Sequence, residues 1–391
     1  MEPAARIAAV PPYPFAALNR AAAAMRARGR SVISLGVGDP DTPPPPRAFE
    51  ALRAAIDMPG GHRYPDYAGS DRFRAAVSGY YARRFGVRPD PKDEVVGLIG
   101  SKEGLAHLLW ALVGPGDVVL VPDPAYPVYA AHTAFAGAEA YPLPLVAENA
   151  FLPDLDAVPA AVLGRAKVLV LCYPNAPTAA LAEKAFLAAA LAFGRRHGLV
   201  VVNDGAYLDI VLEGPPAPSL LAAAGPEDLA VELFSLSKTF HMTGWRLAAA
   251  IGSRTVLDAL RTVKENTDSG QWTPLQEAGA ALLEDASLDA YVASENARLR
   301  ARRDRLRPAL EGVGLRPHPS RATLYLWCQV KGRDGPGDRF AQRLLEETGV
   351  LVTPGAGFGA AGAGHVRVAL SVADAELDEA VRRLATFAGA P

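Results

Sequence analysis

The sequence predicts an α/β fold, with a doubly wound, mostly parallel sheet in a large domain and a smaller α+β domain beside it. Three observations support this prediction. The 391 residues are too many for one small core. The middle of the chain alternates apolar strands with helical segments, and the last third changes to a charged, mixed pattern. We therefore place the large domain at residues 46–275 and the small domain at 1–45 and 276–391.

The N-terminal stretch holds an Ala-rich helix, a short strand and a run of prolines at 43–46. Proline has no backbone N–H, so consecutive prolines forbid regular hydrogen-bonded structure. We interpret this run as a crossing between the two domains.

The predicted strands of the large domain are nearly continuous apolar runs, which is typical of a sheet covered on both faces. Helical segments at 105–113 and 180–197 lie between them. The predicted strands are EVVGLI, DVVLVP, AKVLVL, GLVVVND, LAVELFSLS and RLAAAIG.

The small domain is predicted from a long charged helix followed by alternating elements. The elements are SLDAYVASENARLRARRDRLRPALEG, the strand ATLYLWCQV, a helix from about 338 to 348, the strand HVRVALSV and a final helix. The glycine run PGAGFGAAGAG at 354–364 suggests a dinucleotide loop, but a strand follows it instead of a helix. We interpret it as a mobile loop at the mouth of a site.

Composition excludes several classes of function. Forty basic and 42 acidic residues give a net charge of −2, which offers no basic field to nucleic acid. Cys172 and Cys328 form no disulfide framework, and the seven histidines show no pair at ligand spacing, so we predict no metal site. No run reaches membrane length and the N-terminus lacks a signal-peptide core, so we predict a cytoplasmic protein without a membrane partner.

Polar side chains follow several predicted strands, at the edge where ligands collect in open α/β sheets. Lys238, in SLSKTFHMTGWR, comes just past one strand. It is either an amine with a lowered pKa or a covalent partner, or a lysine that caps a loop. Ser101 and Lys102 begin a helix after another strand, which suits a phosphate group but also an ordinary N-cap.

Three further segments place polar or aromatic groups at strand ends. Asp204 and Tyr207 follow a buried run, and burying a lone carboxylate is costly without a partner. Asn175 lies in a proline turn, and Tyr126 lies between prolines, where its ring can stack on a ligand or pack under a loop. Together with Lys238 these groups match a planar cofactor with a phosphate, a basic ring nitrogen and an aldehyde. Pyridoxal phosphate is such a molecule.

In order and spacing, these segments resemble the class I/II aminotransferases, which are fold-type I pyridoxal-phosphate enzymes. Within that family the chain most resembles the LL-diaminopimelate aminotransferase group. The likeness covers nearly the whole chain, and the joint occurrence of its motifs is specific. The resembling stretches are LGVGDPDTPPP, HRYPDYAGSDRFR, GSKEG, PDPAYPVY, YPNAPT, SLSKTFHMTGWR, VKENTDSG and GHVRVALS.

The resemblance implies an aminotransferase that moves an amino group between an α-amino acid and a 2-keto acid. Its candidate catalytic residues are Lys238, which forms the Schiff base and acts as acid and base, Asp204, which pairs with the ring nitrogen, and Tyr207, which donates to the ring hydroxyl oxygen. Arg367 would clamp the substrate α-carboxylate beside Gly38. The implied homodimer shares its active sites. The remaining implied cofactor contacts are Tyr126 on the ring, Ser101, Lys102, Ser235, Ser237 and Arg246 on the phosphate, and Tyr64 from the neighbouring subunit.

The chain departs from the family where Asn-Pro-Thr-Gly is usual and the Asn bonds the ring hydroxyl oxygen. Ala176 stands at that Asn and Ala179 at the glycine, while Cys172 and His241 stand where the group usually has Asn. Asn175 stays a candidate cofactor contact, although it is one residue away.

These departures leave two interpretations open. One is neutral drift, in which Tyr207 suffices as the donor. The other is a pyridoxal-phosphate enzyme of the same fold repurposed for β/γ-elimination, replacement or cyclisation. A non-catalytic ligand sensor is disfavoured, because the sequence shows no partner-binding appendage and keeps Lys238.

Overall fold

The computed structural model describes residues 2, 4–8, 10, 14–331 and 336–387. The first elements are helix α1 (Ala5–Ala8), helix α2 (Pro14–Ala27) and strand β1 (Ile33–Ser34). Residues 43–45 form no regular structure, but Pro46 begins helix α3 (Pro46–Ile56). The prediction that residue 46 lies outside regular structure is therefore wrong, because the first position of a helix needs no backbone N–H donor.

A seven-stranded sheet forms the centre of the predicted large domain. This sheet and the helices that cover it are called the large part below, and the C-terminal elements with β1 are called the small part. Strand β8 runs antiparallel to both of its neighbours and the other strands are parallel, so the predicted mostly parallel sheet is confirmed. The sheet has the order β2-β8-β7-β6-β5-β3-β4. Its strands are β2 (Val95–Leu98), β3 (Val118–Asp123), β4 (Glu139–Pro144), β5 (Ala166–Leu171), β6 (Val200–Asp204), β7 (Ala230–Ser235) and β8 (Ala248–Gly252).

Strand β4 was not predicted from the sequence, and it contains prolines 142 and 144, which are unfavourable inside a sheet. It lies at the edge of the sheet and pairs with β3 alone, and an edge strand tolerates residues that lack an N–H donor. The remaining six strands correspond to the six predicted from apolar runs.

Helices cover both faces of this sheet. Val168 and Val170 of β5 join one hydrophobic cluster, while Leu169 and Leu171 join another, which is why the whole strand is apolar. The covering helices are α4 (Asp71–Phe85), α5 (Ser101–Leu112), α6 (Val128–Phe135), α7 (Ala160–Leu163), α8 (Lys184–His197), α9 (Leu236–Thr239), α10 (Arg254–Glu265) and α11 (Thr273–Glu284).

The proposed domain boundary at residue 275 falls inside α11. Leu282 and Leu283 of this helix pack with Phe73, Val77 and Phe234 of the large part. Packing therefore groups the complete helix with the seven-stranded sheet.

The small part is built on a four-stranded antiparallel sheet with the order β12-β13-β10-β9. Strand β1 pairs with β11, and Ile33 and Leu35 join the core of this part. The first residues thus pack with the C-terminal third. The elements are α12 (Leu288–Gly312), β9 (Leu315–Pro317), β10 (Tyr325–Val330), α13 (Gly337–Thr348), β11 (Val350–Leu351), β12 (Thr353–Pro354), β13 (His365–Ala369) and α14 (Asp374–Leu384).

The glycine run folds into two short 3-10 turns, Gly355–Phe358 and Ala360–Gly362, and β13 follows it as predicted. The Ala125 N–H donates to the Phe358 carbonyl over 2.8 Å, which attaches the run to the large part. Across the described residues, no helix has both the length and the apolar character needed to cross a membrane.

Candidate active site

A cavity of about 540 Å³ lies beside the C-terminal ends of β5, β6 and β7, between the two parts of the chain. Its size falls within the range of small-molecule sites. The large part supplies the residues at strand ends, and the small part supplies Tyr325, Phe358 and Arg367. Eleven of the thirteen site residues predicted from the sequence line it: Gly38, Ser101, Lys102, Tyr126, Asp204, Tyr207, Ser235, Ser237, Lys238, Arg246 and Arg367.

Lys238 lies in the short helix α9, directly after β7. Its Nζ donates to the Gly38 carbonyl over 2.6 Å. Burial lowers the pKa of this amine below its ordinary value, because the ammonium is poorly solvated, and the charges of Arg367 and Arg246 act in the same direction. A lowered pKa makes the free amine available for reaction.

Asp204 is the last residue of β6, and its carboxylate is buried at the cavity wall. The Tyr129 hydroxyl donates to Oδ2 over 2.8 Å. Oδ1 is buried and has no hydrogen-bond partner among the described residues. Burial raises the pKa of Asp204, so a ligand that brings a cationic N–H to this oxygen would be strongly favoured.

Tyr129 was not singled out in the sequence, although it lies in the quoted segment PDPAYPVY. Its ring contacts that of Tyr126 edge to face at 6.1 Å. A tyrosine at this spacing equally suits an ordinary core position, so only the fold shows that it reaches Asp204.

The anion end of the cavity combines a helix N-terminus with basic and hydroxyl side chains. Ser101 and Lys102 begin α5, as predicted. A Cβ atom on Gly100 would lie 2.2 Å from Arg246 Nη2, so only glycine permits the arginine to approach the helix start. The hydroxyls of Ser235 and Ser237 complete this end, which suits a phosphate group.

A buried ionic cluster supports the start of α5 from below. Glu103 Oε2 accepts from the Ile99 N–H over 2.8 Å, and Glu103 Oε1 lies 3.1 Å from Lys264 Nζ. Lys264 also bonds Asp268 at 3.0 Å, and His107 Nδ1 lies 2.6 Å from Glu103 Oε1. Glu103 and His107 lie one turn apart on α5, Asp268 comes from a distant part of the sequence, and the Lys264 ammonium supplies a cationic partner to both carboxylates.

The edge of the cavity beside Tyr207 lacks the amide side chain that the sequence analysis considered for Asn175. Ala176 and Cys172 line this edge, whereas Asn175 does not. The Asn175 amide donates to the Cys172 carbonyl over 3.1 Å and accepts from the Thr178 N–H, so it is used inside its own loop. The structure thus does not place Asn175 on the cavity wall. Burial raises the pKa of the Cys172 thiol to about 12, which keeps the thiol protonated.

Arg367 of β13 is buried and lines the cavity from the small part of the chain. Its guanidinium carbon lies 4.1 Å from the centroid of the Tyr325 ring and 4.5 Å from that of Phe358. Nη2 donates to the Gly36 carbonyl over 2.9 Å. The two rings hold the guanidinium in a fixed plane, which suits a carboxylate that binds with both oxygens. The sequence indicated Tyr325 and Phe358 only as parts of a strand and a glycine run.

Two residues discussed from the sequence lie elsewhere. Tyr64 is 87% exposed and does not line the cavity of its own chain. His241 is directed away from the cavity, with Nδ1 at 2.7 Å from Thr42 Oγ1 and Nε2 at 3.7 Å from a Glu295 carboxylate oxygen.

Residues 30–384 match the family described as aminotransferase class I and II. The LL-diaminopimelate aminotransferase of Nitratidesulfovibrio vulgaris (strain DSM 19637 / Miyazaki F) is 45% identical over 383 residues, 98% of each chain. Substrate-bound BacF from Bacillus subtilis superposes with a TM-score of 0.93 at 34% identity, covering 98% of this chain and 97% of BacF. A probable N-succinyldiaminopimelate aminotransferase from Thermus thermophilus has a TM-score of 0.88 at 39% identity, covering 95% of this chain and 99% of that protein.

Proposed function

Because the chain belongs to the class I and II aminotransferases, we propose that the cavity between its two parts is the site of the cofactor and of amino-group transfer. The protein is a fold-type I, pyridoxal-phosphate-dependent enzyme that moves an amino group between an α-amino acid and a 2-keto acid. The observation that supports the placement is the presence, in one cavity, of an amine with a lowered pKa and a buried carboxylate oxygen without a partner.

The residues present fit pyridoxal phosphate. Asp204 Oδ1 would accept a proton-bearing ring nitrogen, and Lys238 would hold the cofactor covalently through Nζ. The anion end would bind the phosphate, and Tyr126 would stack on the ring. When bound, the cofactor supplies a ring that accepts electrons from the substrate α-carbon.

The remaining side chains act on the substrate. Arg367 would bind the α-carboxylate through two parallel hydrogen bonds, and its ring neighbours Tyr325 and Phe358 would exclude water from them. Once displaced by the substrate amine, Lys238 Nζ would take the proton from the α-carbon and return it later in the reaction. Burial lowers the pKa of this amine, which favours its unprotonated form for that step.

For the amino donor we propose LL-diaminopimelate. The support is the 45–46% identity, over 97–98% of the chain, with curated relatives of that name. Asn19 and Asp39 also line the cavity, so it offers polar groups besides those assigned to the cofactor and the α-carboxylate. A panel of amino donors with 2-keto acid acceptors tests this assignment. LL-diaminopimelate should give the highest kcat/KM, and a higher value for N-succinyl-LL-diaminopimelate or aspartate would contradict it.

Lys238→Ala tests the cofactor site. Borohydride reduction of the loaded wild-type enzyme should leave the cofactor mass on the peptide that contains Lys238, as read by mass spectrometry. The variant should bind the cofactor without retaining any mass after reduction. The same mass retained by the variant, on another lysine, would refute the site.

We also propose a homodimer in which Tyr64 reaches the partner's cofactor phosphate, which accords with its exposure. Sedimentation should give twice the chain mass of 41.0 kDa. Mixing Lys238→Ala with Tyr64→Ala subunits should restore activity, because one site of each hybrid dimer is then intact. Tyr67→Ala, at a nearby half-exposed tyrosine, is the matched control for Tyr64→Ala. The cytoplasmic location and the absence of nucleic-acid and membrane partners stay predictions.

A further inference from the structure

The Tyr325 hydroxyl is held at a junction between the two parts of the chain. It lies 3.0 Å from the Tyr207 hydroxyl, in a buried pair in which either oxygen can donate. A Cβ atom on Gly38 would lie 2.0 Å from the Tyr325 hydroxyl oxygen, so the backbone at Gly38 closes in on the ring. The Tyr325 ring therefore has little freedom to turn away from Tyr207.

The cavity edge beside this pair is poor in donors. Ala176 joins the same hydrophobic cluster as Tyr207 and Tyr325. Cys172, also on this edge, carries a thiol, which is a weak donor. The nearby Asn175 amide is used within its own loop. Tyr207 is therefore the strongest donor that this edge presents among the described residues.

We infer that Tyr325 is a positioning residue that donates to Tyr207, so that the Tyr207 proton is directed at the ring hydroxyl oxygen of the cofactor. This inference rests on the cofactor placement proposed above. The two hydroxyls then form a relay that replaces the amide donor absent at Ala176.

The direction of the relay follows from the number of protons. A tyrosine hydroxyl has one proton to donate and lone pairs to accept with. If Tyr207 donated to Tyr325, it would present only lone pairs to an anionic ring oxygen, which is repulsive. With Tyr325 as donor, its proton lies on the Tyr207 oxygen and the Tyr207 proton can point at the ring oxygen, so that each bond polarises the next. Because both hydroxyls are buried, this arrangement is not weakened by water.

The relay has a measurable consequence in the visible absorbance of the bound cofactor, which changes with pH. Donation to the ring oxygen would favour its anionic form and so lower the pH midpoint of that absorbance change. Other charged or titratable groups facing the same site also set this pH, so variants must leave them in place. Besides Tyr207 and Tyr325, they are Lys102, Lys238, Asp39, Asp204, Arg246, Arg367, Cys172, Tyr126 and Tyr129.

The test compares absorbance titrations of the loaded wild type with Tyr325→Phe, Tyr207→Phe and Ala176→Asn. Tyr207→Phe should raise the midpoint by roughly 0.4–1 pH unit, the equivalent of one hydrogen bond. Tyr325→Phe should raise it by a smaller amount, and Ala176→Asn should lower it. In the Ala176→Asn background, Tyr325→Phe should shift the midpoint less than in the wild type, because the amide takes over part of the donation.

The controls separate this relay from general damage. Tyr325→Phe removes only the hydroxyl and keeps the ring beside Arg367, so the change in KM for the amino acid should be smaller than in Arg367→Lys. Tyr173 does not line the cavity, and its buried hydroxyl donates to the Phe151 carbonyl over 2.7 Å. Tyr173→Phe removes this hydroxyl and should leave the midpoint unchanged. If Tyr325→Phe and Tyr173→Phe lose equal thermal stability, a difference between their midpoints comes from the Tyr325–Tyr207 relay and not from general destabilisation.

Two outcomes overturn different statements. A shift in Tyr207→Phe with none in Tyr325→Phe would overturn the relay and leave the proposed cofactor placement intact. No shift in Tyr207→Phe would overturn the placement of Tyr207 beside the ring oxygen, and with it the basis of the relay.

Discussion

The Tyr129 hydroxyl donates to Asp204 Oδ2 over 2.8 Å, while Asp204 Oδ1, equally buried, has no partner among the described residues. One oxygen is thus fixed by the protein, and the other remains for the proton-bearing ring nitrogen of the cofactor. The bond to Tyr129 orients the side chain, and the buried oxygen without a partner favours binding of a cationic ligand.

Asp204→Asn should lower kcat severely, because an amide cannot hold the ring nitrogen in its protonated form. Loss of one partner from a buried charged pair costs about 3–5 kcal/mol, which corresponds to roughly 10²–10⁴-fold in rate. Steady-state kinetics with saturating cofactor measures the effect. Tyr129→Phe, which keeps the carboxylate, should cost far less, and a near-normal kcat in Asp204→Asn would rule out the assigned role.

In the cofactor-free protein, Asp204 should lower the free energy of unfolding by an amount that depends on pH. Burial raises the pKa of this carboxyl group above its usual value of 3.8 in the folded protein. Its contribution to stability is therefore present below the unfolded pKa and is lost as the pH rises through the folded pKa. Cofactor-free Asp204→Asn should accordingly have a higher free energy of unfolding than the wild type at neutral pH, and the difference should shrink toward about pH 4. Urea unfolding at both pH values measures it, and an equal difference at both would contradict the prediction.

Arg367→Lys should raise KM for the amino acid. A lysine offers a point charge and cannot reproduce two parallel bonds to a carboxylate, and bonds to charged groups are worth about 1.5–3 kcal/mol. The expected rise is roughly 10- to 150-fold. Cofactor affinity, measured by fluorescence titration, should not change. An unchanged KM would mean that another residue binds the α-carboxylate.

Gly100→Ala should weaken cofactor binding through Arg246. The added methyl group would lie 2.2 Å from Arg246 Nη2, and the backbone angle φ of 81° at residue 100 is itself unfavourable for alanine. We expect the Kd for pyridoxal phosphate to rise at least about tenfold, while the Kd for pyridoxal, which lacks the phosphate, changes little. Gly114→Ala, where a Cβ meets no atom within 4 Å, is the matched control. Equal losses for both ligands would place the damage outside the phosphate end.

Ala176→Asn distinguishes the two interpretations of the sequence departures. If the alanine is neutral drift, the asparagine should restore a donor to the ring oxygen and leave transamination equal or up to roughly tenfold faster, the equivalent of one hydrogen bond. If the cavity was reshaped around the alanine, native turnover should fall while cofactor binding stays unimpaired. Turnover with the preferred amino donor and cofactor affinity are both measured, and the direction of the change in turnover decides between the two interpretations.

The sequence by itself determined most strands of the large part and most of the site residues at their ends, because both depend on patterns that are local in the chain. Strands covered on both faces contain continuous apolar runs, so β5 and the valines of β6 could be identified from the sequence. Asp204 is the last residue of β6, while Lys238 and Ser101 come shortly after β7 and β2, and the ends of parallel strands meet at one edge of a sheet. Their place in one cavity was therefore predictable.

Only the tertiary structure decided which side chains complete the site. Asn175 and Ala176 are adjacent in the chain, yet the amide turns into its loop and the methyl group faces the cavity. The contacts of Tyr325 with Tyr207 and of Tyr129 with Asp204 span 118 and 75 residues. No periodicity encodes such pairs, because they depend on how elements distant in the sequence pack together and on which rotamers that packing permits.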